Sequence, residues 1–318
     1  MGRVEHVGKS KRSRWSTMKR LLITGASGFL GWNLARRACA RYSVQGAFCA
    51  HELREPGIDA VRLDLTRPED VRRCMAASRP DAVIHTAGYP APNQCELHPE
   101  LSFRLNVEAT AELAARCAAN GIPFVFTSTD SVFDGRHPPY AEDAPVSPIN
   151  VYGRHKAEAE QRILAVHPGA VVCRMPLMFG RPGPFGSSFI QPWLASLAKG
   201  ETLRLFVDEH RTVVSAAAAA EGLLLALERS SRGLLHLGGQ ERVSRFEFGT
   251  LLAETFGFPA ALIQPARQAD IPMAAQRPPD VSLDSRRAFR LGYRPGPLAR
   301  QLAAFKETDR TCKRDGEA

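Results

Sequence analysis

Short apolar runs alternate along the chain with stretches in which apolar residues recur at helical spacing. The stretches between the runs include 99–119, which ends at an Asn-Gly pair with a proline beyond it, a typical helix stop. Strands are predicted at 20–24, 44–49, 60–65, 80–88 and 124–127. Strand and helix patterns that alternate in this way predict an α/β fold with a doubly wound parallel sheet.

The pattern changes at about residue 175, where loops rich in proline and glycine begin to separate the predicted elements. We expect residues 18–174 to form a dinucleotide-binding Rossmann domain that carries the catalytic residues. Residues 175–305 are expected to form a smaller substrate lobe interleaved with the last elements of the sheet, and 306–318 a polar tail. The elements predicted in the second half are helices at 189–199 and 215–228 and strands at 202–207 and 234–237.

Three glycines follow the first predicted strand, at Gly25, Gly28 and Gly31. The first permits a sharp turn, the second lets a pyrophosphate approach the backbone, and the third lets the next helix pack closely on the strand. The helix N-terminus then offers unpaired N–H groups to the phosphates. A tight turn in a core also needs glycine, so the triplet alone leaves a structural role open. The cofactor contacts predicted in this turn are Gly25, Ser27, Gly28, Phe29, Leu30 and Gly31.

The end of the second predicted strand bears on the choice of cofactor. An NAD site usually places Asp or Glu there, about 20 residues beyond the glycines, to bind the ribose 2′-hydroxyl. This chain continues instead into His51, Glu52 and Arg54, with no acid directly at the tip. His51 and Arg54 suit a 2′-phosphate, so NADP(H) is favoured over NAD(H), although both residues are also typical of a solvated loop.

The charge of the chain bears on its partners. Residues 1–17 contribute +4 of the formal net charge of +9, so the remainder carries a modest +5. That excess suits an anionic small-molecule substrate better than nucleic acid. Residues 1–17 lack the apolar run of a signal peptide and are interpreted as a disordered extension or a misassigned start, with Met18 as the alternative initiator.

Cysteine, histidine and hydropathy patterns set further limits. The seven cysteines are widely spaced without a Cys-x-x-Cys pair, which is typical of a reducing compartment, and we expect a cytoplasmic protein. The nine histidines show no metal-ligand spacing, so no metal is expected. The longest apolar candidate for a membrane span, 213–227, is broken by Glu221, so no membrane partner is expected.

The residues best suited to chemistry follow the fifth predicted strand. Thr129 lies at its carboxyl end, where open α/β sheets bind ligands, and Tyr152 and Lys156 share one face of the next predicted helix. The lysine ammonium is expected to lower the pKa of the Tyr152 phenol and make it a usable proton donor. Thr129 can hydrogen-bond a substrate carbonyl; Ser128 is the alternative hydroxyl, and Asp130 is a further candidate substrate contact. Tyr-x-x-x-Lys also occurs by chance on surface helices.

Together these segments resemble the extended short-chain dehydrogenases/reductases, and most closely the dTDP-4-dehydrorhamnose reductases of the NAD-dependent epimerase/dehydratase superfamily. The resemblance extends from Met18 to about Leu302. It implies a catalytic triad of Thr129, Tyr152 and Lys156, with the lysine also holding the nicotinamide ribose. The runs that carry it are 23–31, 64–66, 83–88, Asn106, 128–135, 139–140, 147–156, 233–236 and 277–284.

The same resemblance implies further contacts and an assembly. Extended enzymes of this type are often dimers through paired helices, and the alanine-rich helix at 110–119 is compatible with a homodimer as well as with core packing. The additional cofactor contacts implied are Asp64 and Leu65 on the adenine side, Ala87, Gly88 and Tyr89 along the dinucleotide, and Asn106, which would brace the active-site helix.

Departures from the family pattern fall where a sugar would be bound. Residues 92–96 lack the charges usual there, and Leu177 stands where a tryptophan is common. Residues 208–214 replace an Asp-Gln-x-Gly-x-Pro-Thr-like run. Arg181 and Arg211 suit contacts to a diphosphate, although either also suits a solvated loop.

Three functions are open at this point. The leading one is an NADP(H)-dependent reductase of a 4-keto nucleotide sugar, in which Tyr152 protonates the carbonyl oxygen. The second is a nucleotide-sugar epimerase or dehydratase; the Asp130-Ser131 pair counts mildly against dehydration, because such dehydratases usually carry Asp-Glu there. The third is a non-catalytic NADP-binding regulatory subunit, similar to the β subunit of methionine adenosyltransferase.

Overall fold

The computed structural model describes residues 18–229 and 231–315, and the predicted extension at 1–17 lies outside them. Elements are numbered in chain order. The strands are β1 Arg20–Thr24, β2 Ser43–Phe48, β3 Ile58–Arg62, β4 Ala82–His85, β5 Phe124–Thr129, β6 Val171–Met175, β7 Met178–Phe179, β8 Leu203–Phe206, β9 His210–Arg211, β10 Val214–Ser215, β11 Gly233–His236, β12 Val243–Ser244 and β13 Ile263–Ala266.

Eleven α-helices accompany these strands in the described part of the chain, and a π-helical turn, Arg104–Glu108, joins the fourth helix to the fifth. The helices are α1 Phe29–Ala38, α2 Pro68–Ser78, α3 Pro92–Leu97, α4 Pro99–Phe103, α5 Ala109–Ala119, α6 Val151–Val166, α7 Ile190–Ala198, α8 Ala216–Glu228, α9 Arg245–Phe256, α10 Arg286–Leu291 and α11 Leu298–Asp315.

Seven strands form one sheet in the order β11-β6-β5-β4-β1-β2-β3. Every pairing in it is parallel, and β1 pairs with β2 on one side and with β4 on the other. The strand order therefore reverses beside β1, at the point where such sheets bind ligands. The predicted α/β fold with a doubly wound parallel sheet is confirmed.

The sheet is buried on both faces, as parallel sheets require. Helices α1 and α8 cover one face, where they share an apolar cluster with Leu21 and Ile23 of β1. Helices α5 and α6 cover the other face, around Leu22 of β1 and Phe126 of β5. The alternating side chains of β1 thus contribute to both clusters, which fixes the strand at the centre of the molecule.

Several elements differ from the sequence prediction. Strand β6 was not predicted, because Arg174 interrupts its apolar run, although all five of its residues are buried. The helix predicted at 99–119 is divided by the π-helical turn. Residues 306–315, predicted as part of a polar tail, belong to α11, while 316–318 lie outside the described residues.

The C-terminal half adds three two-stranded ladders, β10-β7, β12-β9 and β13-β8, and packs α9 and α11 around Phe179 and Phe248. It also supplies β11, which pairs with β6 and completes the main sheet. No helix in the described part of the chain has the length and apolar character needed to cross a bilayer.

Candidate active site

A cleft of about 490 Å³ opens along the carboxyl ends of β1, β2, β4 and β5. It contains every predicted cofactor contact except Arg54. The predicted residues that line it are Gly25, Ser27, Gly28, Phe29, Leu30, Gly31, His51, Asp64, Leu65, Ala87, Gly88, Tyr89, Asn106, Tyr152 and Lys156, together with Ser128.

The glycine turn has the geometry of a phosphate cradle. A Cβ atom added to Gly31 would lie 2.1 Å from the Gly25 carbonyl oxygen, so the strand, turn and helix approach too closely for a side chain. Gly25 has a φ of +69°, which favours glycine. Gly28 caps α1 without a side-chain hydrogen bond, and the first turn carries no acid. The N–H groups of this turn therefore fit a dinucleotide pyrophosphate.

The residues after β2 and β3, where the sequence predicts the adenine side of the cofactor, form one end of the cleft. The carboxylate of Asp64 accepts hydrogen bonds from the Thr66 hydroxyl at 2.6 Å and the Thr66 backbone N–H at 3.0 Å, which lower its pKa. His51 lines the cleft, whereas the exposed Arg54 is paired with Glu52 at 2.9 Å. Only one of the two predicted 2′-phosphate ligands therefore faces the cleft. Cys49 and Ala50, which the sequence analysis did not single out, line it as well.

Asn106 lies in the π-helical turn and is buried. Its Oδ1 accepts the Tyr89 backbone N–H at 2.8 Å, while its Nδ2 donates to the Tyr89 carbonyl and to the Ser102 hydroxyl, both at 3.1 Å. Ser102 in turn hydrogen-bonds His155 of α6 at 2.8 Å. Asn106 thus holds the segment after β4 directly and reaches the tyrosine-bearing helix α6 through Ser102.

Lys156 is buried beneath the cleft floor. Its ammonium donates to the Thr127 carbonyl of β5 at 2.6 Å and lies 4.0 Å from the centre of the Phe126 ring. Burial lowers the pKa of Lys156 to about 7, although the charge of Glu160 opposes that shift. The lysine is therefore hydrogen-bonded to the backbone of β5, and no hydrogen bond joins it to the Tyr152 oxygen among the described residues.

The expectation of a lowered pKa for Tyr152 is wrong for this structure. Burial of the phenol raises its pKa, the charge of Asp130 adds to the rise, and a hydrogen bond with Thr129 opposes it. Lys156 does not offset this effect, because its ammonium is held by a backbone carbonyl. Tyr152 consequently keeps its proton at neutral pH.

The two candidate hydroxyls have different surroundings. Thr129 accepts the Ser131 backbone N–H at 3.2 Å, donates to Asp130 at 3.3 Å and opposes the rise in the pKa of Tyr152. Ser128 instead donates to the buried carboxylate of Glu160. Ser128 lines the cleft and Thr129 does not, while Thr129 is the hydroxyl that acts on the pKa of Tyr152.

A buried ion pair that the sequence did not reveal lies behind Ser128. The guanidinium of Arg174 on β6 contacts both carboxylate oxygens of Glu160 on α6, at 2.8 to 3.2 Å. The side chains are 2% and 4% exposed. Arg174 also reaches His236 of β11 at 3.3 Å, so one cluster joins three elements beneath the catalytic strand.

Asp130 and Arg211 form a second buried pair, next to Thr129. The Nε of Arg211 lies 3.5 Å from Oδ2 of Asp130, and its Nη2 lies 3.5 Å from Glu209. Burial raises the pKa of Asp130, while Arg211 opposes the rise. Arg211 is therefore a buried arginine beside the catalytic strand and not a solvated loop residue.

Arg181 lies elsewhere. Its carbonyl accepts a hydrogen bond from Asn33 of α1 at 2.9 Å, and its guanidinium lies 5.9 Å from the Trp32 ring. It lines a separate cavity of about 550 Å³ between α1, α8 and the C-terminal segment. The structure thus does not bring Arg181 together with the catalytic residues.

The segments that depart from the family pattern make structural contacts. Glu96 of α3 accepts the Val151 backbone N–H at 3.0 Å, and Asn93 accepts hydrogen bonds from Ala275 and Arg277 at 3.2 and 3.1 Å. Leu177 packs in the apolar cluster around Phe179. Among the described residues, no group of three or more His, Cys, Asp or Glu side chains is arranged to hold a metal ion.

A doubly wound sheet, a glycine cradle at its switch point and a Tyr-x-x-x-Lys pair in the same cleft define an oxidoreductase of the extended short-chain dehydrogenase/reductase type. Residues 18–308 match the family described as the RmlD substrate binding domain, and the chain belongs to that family. The resemblance found in the sequence is confirmed.

Individual relatives fall into two groups. The chain is 34% identical over 292 residues to the probable low-salt glycan biosynthesis reductase Agl14 of Haloferax volcanii, covering 89% of this chain and 96% of that protein. It is 29% identical over 284 residues to methionine adenosyltransferase 2 subunit beta of Danio rerio, covering 87% and 86%. A solved structure of a hypothetical dTDP-4-dehydrorhamnose reductase from Sulfolobus tokodaii has a TM-score of 0.78 and 30% identity, covering 88% and 97%.

Proposed function

We propose that the protein is an NADP(H)-dependent reductase of a 4-keto nucleotide sugar. The observation that carries this proposal is the single cleft that contains both the glycine cradle and the pair Tyr152 and Lys156. The name of the Haloferax relative describes a reductase of glycan biosynthesis, and that of the Sulfolobus structure a reductase of dTDP-4-dehydrorhamnose. Both names support a sugar-nucleotide substrate.

The chain's own residues suit the binding of a nicotinamide dinucleotide. The N–H groups after Gly28 would hold the pyrophosphate, and Asp64 and Leu65 would border the adenine. His51 would meet a 2′-phosphate, which is the reason for preferring NADP(H). When bound, the nicotinamide supplies the hydride that reduces the substrate carbonyl.

Proton transfer falls to Tyr152. The phenol is protonated at neutral pH and would give its proton to the carbonyl oxygen as negative charge develops there, although its raised pKa makes it a weaker acid than a free tyrosine. Thr129, which acts on the pKa of Tyr152, would turn its hydroxyl proton from Asp130 to the same oxygen. Lys156 would fix the floor of the site and hold the ribose, since its ammonium is anchored on Thr127.

The test follows cofactor oxidation with purified protein, NADPH or NADH, and a panel of 4-keto nucleotide sugars led by dTDP-4-dehydrorhamnose. We expect Tyr152→Phe to lower turnover by about 10²- to 10⁴-fold while the dissociation constant for NADPH stays within about twofold. Tyr42→Phe is the matched control, because its hydroxyl contacts only Glu228 at the end of α8 among the described residues. Turnover that survives in Tyr152→Phe refutes the mechanism, and product without net NADPH consumption indicates an epimerase or dehydratase.

One observation favours a second function, that of a regulatory subunit. The chain covers 86% of a methionine adenosyltransferase 2 subunit beta, and the segments that depart from the reductase pattern serve internal contacts through Asn93 and Glu96. This function predicts stoichiometric co-elution with a catalytic methionine adenosyltransferase subunit on size exclusion, unaffected by Tyr152→Phe. Separate elution of the two proteins at micromolar concentration contradicts it.

A further inference from the structure

His51 presents an unusual arrangement at the adenosine end of the cleft. Its imidazole lines the cleft, while one face of the ring is stacked on Phe185, with ring centres 4.7 Å apart and planes 9° apart. Phe185 does not line the cleft, and it is 51% exposed. Phe185 therefore contacts the ring of His51 without lining the cleft itself, although the two residues are far apart in sequence.

The loop that carries Phe185 is held against α1. A Cβ added to Gly183 would lie 2.5 Å from the Trp32 indole, and one added to Gly186 would lie 3.0 Å from the Phe29 nitrogen. The loop backbone thus touches the first turn of the helix that forms the phosphate cradle. It can approach so closely because both positions are glycine.

The segment that carries His51 is held by the same helix. The Trp32 indole N–H donates to Glu55 at 2.7 Å, a few residues after His51. The segments that carry both partners of the stack are therefore tied to α1, and the stack on Phe185 is the contact that orients the imidazole. Preorganisation of this kind lowers the entropy lost when a ligand binds.

The groups around His51 favour an anion over a ribose hydroxyl. Neither ring nitrogen of His51 has a hydrogen-bond partner among the described residues. Glu52 is paired with Arg54, and one carboxylate oxygen of Asp64 receives both Thr66 hydrogen bonds. A stacked ring keeps its nitrogens at the edge, where they can donate to a phosphate.

We propose that Phe185 is a cofactor-positioning residue, which by stacking on His51 holds the imidazole where it binds the 2′-phosphate of NADP(H). This inference rests on the proposed cofactor. It assigns the preference for NADP(H) in part to a loop of the C-terminal half, outside the dinucleotide-binding segment of the sequence.

The experiment measures dissociation constants of NADPH and NADH in the absence of sugar, by the fluorescence of the reduced nicotinamide. We expect Phe185→Ala to weaken NADPH binding about five- to tenfold and to leave NADH binding within about twofold, since only NADPH has the 2′-phosphate. Phe185→Tyr keeps the stack and should bind NADPH as the wild type does. The double variant with His51→Ala should bind NADPH no more weakly than His51→Ala alone, because Phe185 acts through the imidazole.

Equal losses of NADPH and NADH affinity in Phe185→Ala would overturn the proposal, since they would indicate a general contact to the adenine or a displaced loop. An unchanged affinity for NADPH, or a wild type that binds the two cofactors equally, would overturn it as well. The binding test is independent of the proposed reaction. Selective loss of NADPH binding in Phe185→Ala, with no turnover of any sugar by the wild type, supports this inference and refutes the proposed reductase activity. Turnover of a sugar with a KM for NADPH that is unchanged in Phe185→Ala does the reverse.

Discussion

The buried pair of Arg174 and Glu160 yields the sharpest stability prediction. Replacing Arg174 with Met removes the guanidinium contacts to both carboxylate oxygens and leaves Glu160 with the Ser128 hydroxyl as its hydrogen-bond partner and Lys156 as an interacting cation. His236, which burial keeps neutral with a pKa of about 3, loses a neighbour at the same time. The carboxylate, which has lost its ion-pair partner, is 4% exposed and lies among β5, β6 and α6.

The expected cost is that of an unpaired buried charge. Removing one partner of a buried pair typically costs about 3–5 kcal/mol, whereas replacing both partners with apolar residues of similar volume is often close to neutral. Both side chains here are nearly inaccessible, so the full range applies. The double variant Arg174→Met/Glu160→Leu should therefore be more stable than Arg174→Met, although Ser128 loses its acceptor.

The assay is urea denaturation of the three proteins, monitored by tryptophan fluorescence and far-UV circular dichroism. The order of unfolding free energies should be wild type, then the double variant, then Arg174→Met. A cost below about 1 kcal/mol for Arg174→Met, or a double variant that is less stable than the single one, would refute the reasoning. Either result would mean that the ion pair contributes little beyond its packing volume.

Two further predictions concern the cleft. Gly31→Ala should destabilise the protein by about 1–3 kcal/mol and abolish detectable NADPH binding, because its methyl group would collide with the Gly25 carbonyl. Gly169→Ala is the control, since an added Cβ would meet only His167 atoms at 3.5 Å or more. This control should change neither the unfolding temperature nor the affinity for NADPH, which thermal unfolding and binding assays measure. The second prediction compares the free energy of unfolding of the wild type with that of Lys156→Met as the pH is raised. Between about pH 7 and 10, Lys156 is neutral in the folded protein and protonated in the unfolded chain, because burial lowers its pKa. The unfolded chain then binds one proton more, so the free energy of unfolding of the wild type should rise relative to the variant. Urea titrations at pH 7 and 9 measure this rise, and a constant difference between the two proteins contradicts a lowered lysine pKa.

The sequence was most informative where local pattern and burial coincide. The apolar run at 20–24, its three glycines and the alternation with helices are local signals, and the structure places them at the switch point of the predicted sheet. Tyr152 and Lys156 were found for the same reason, since a spacing of four residues on a helix fixes their relative position. Family resemblance added the residues after β3 and β4.

The remaining features depend on contacts between distant segments. Strand β6 was missed because its apolar pattern is interrupted by the charged Arg174. A charge inside a buried strand is acceptable only when it has a partner, and Glu160 lies on a different element, α6. Arg181 and Arg211 both have the sequence context of loop arginines. Only Arg211 is buried next to the end of β5, where it pairs with Asp130 and Glu209. The pKa of Tyr152 rises because burial disfavours the phenolate, and the charge of Lys156, which helix spacing suggested would oppose this, does not offset it.

The position of β11 has a consequence for biosynthesis. Gly233 pairs with Val171, and α8, made just before β11, covers the apolar face of α1. A nascent chain that has emerged only through β6 would therefore expose an open sheet edge and an uncovered helix. The first half of the chain is therefore expected to fold stably only after β11 and α8 have been synthesised. A gene fragment that ends after residue 175 should yield aggregated protein.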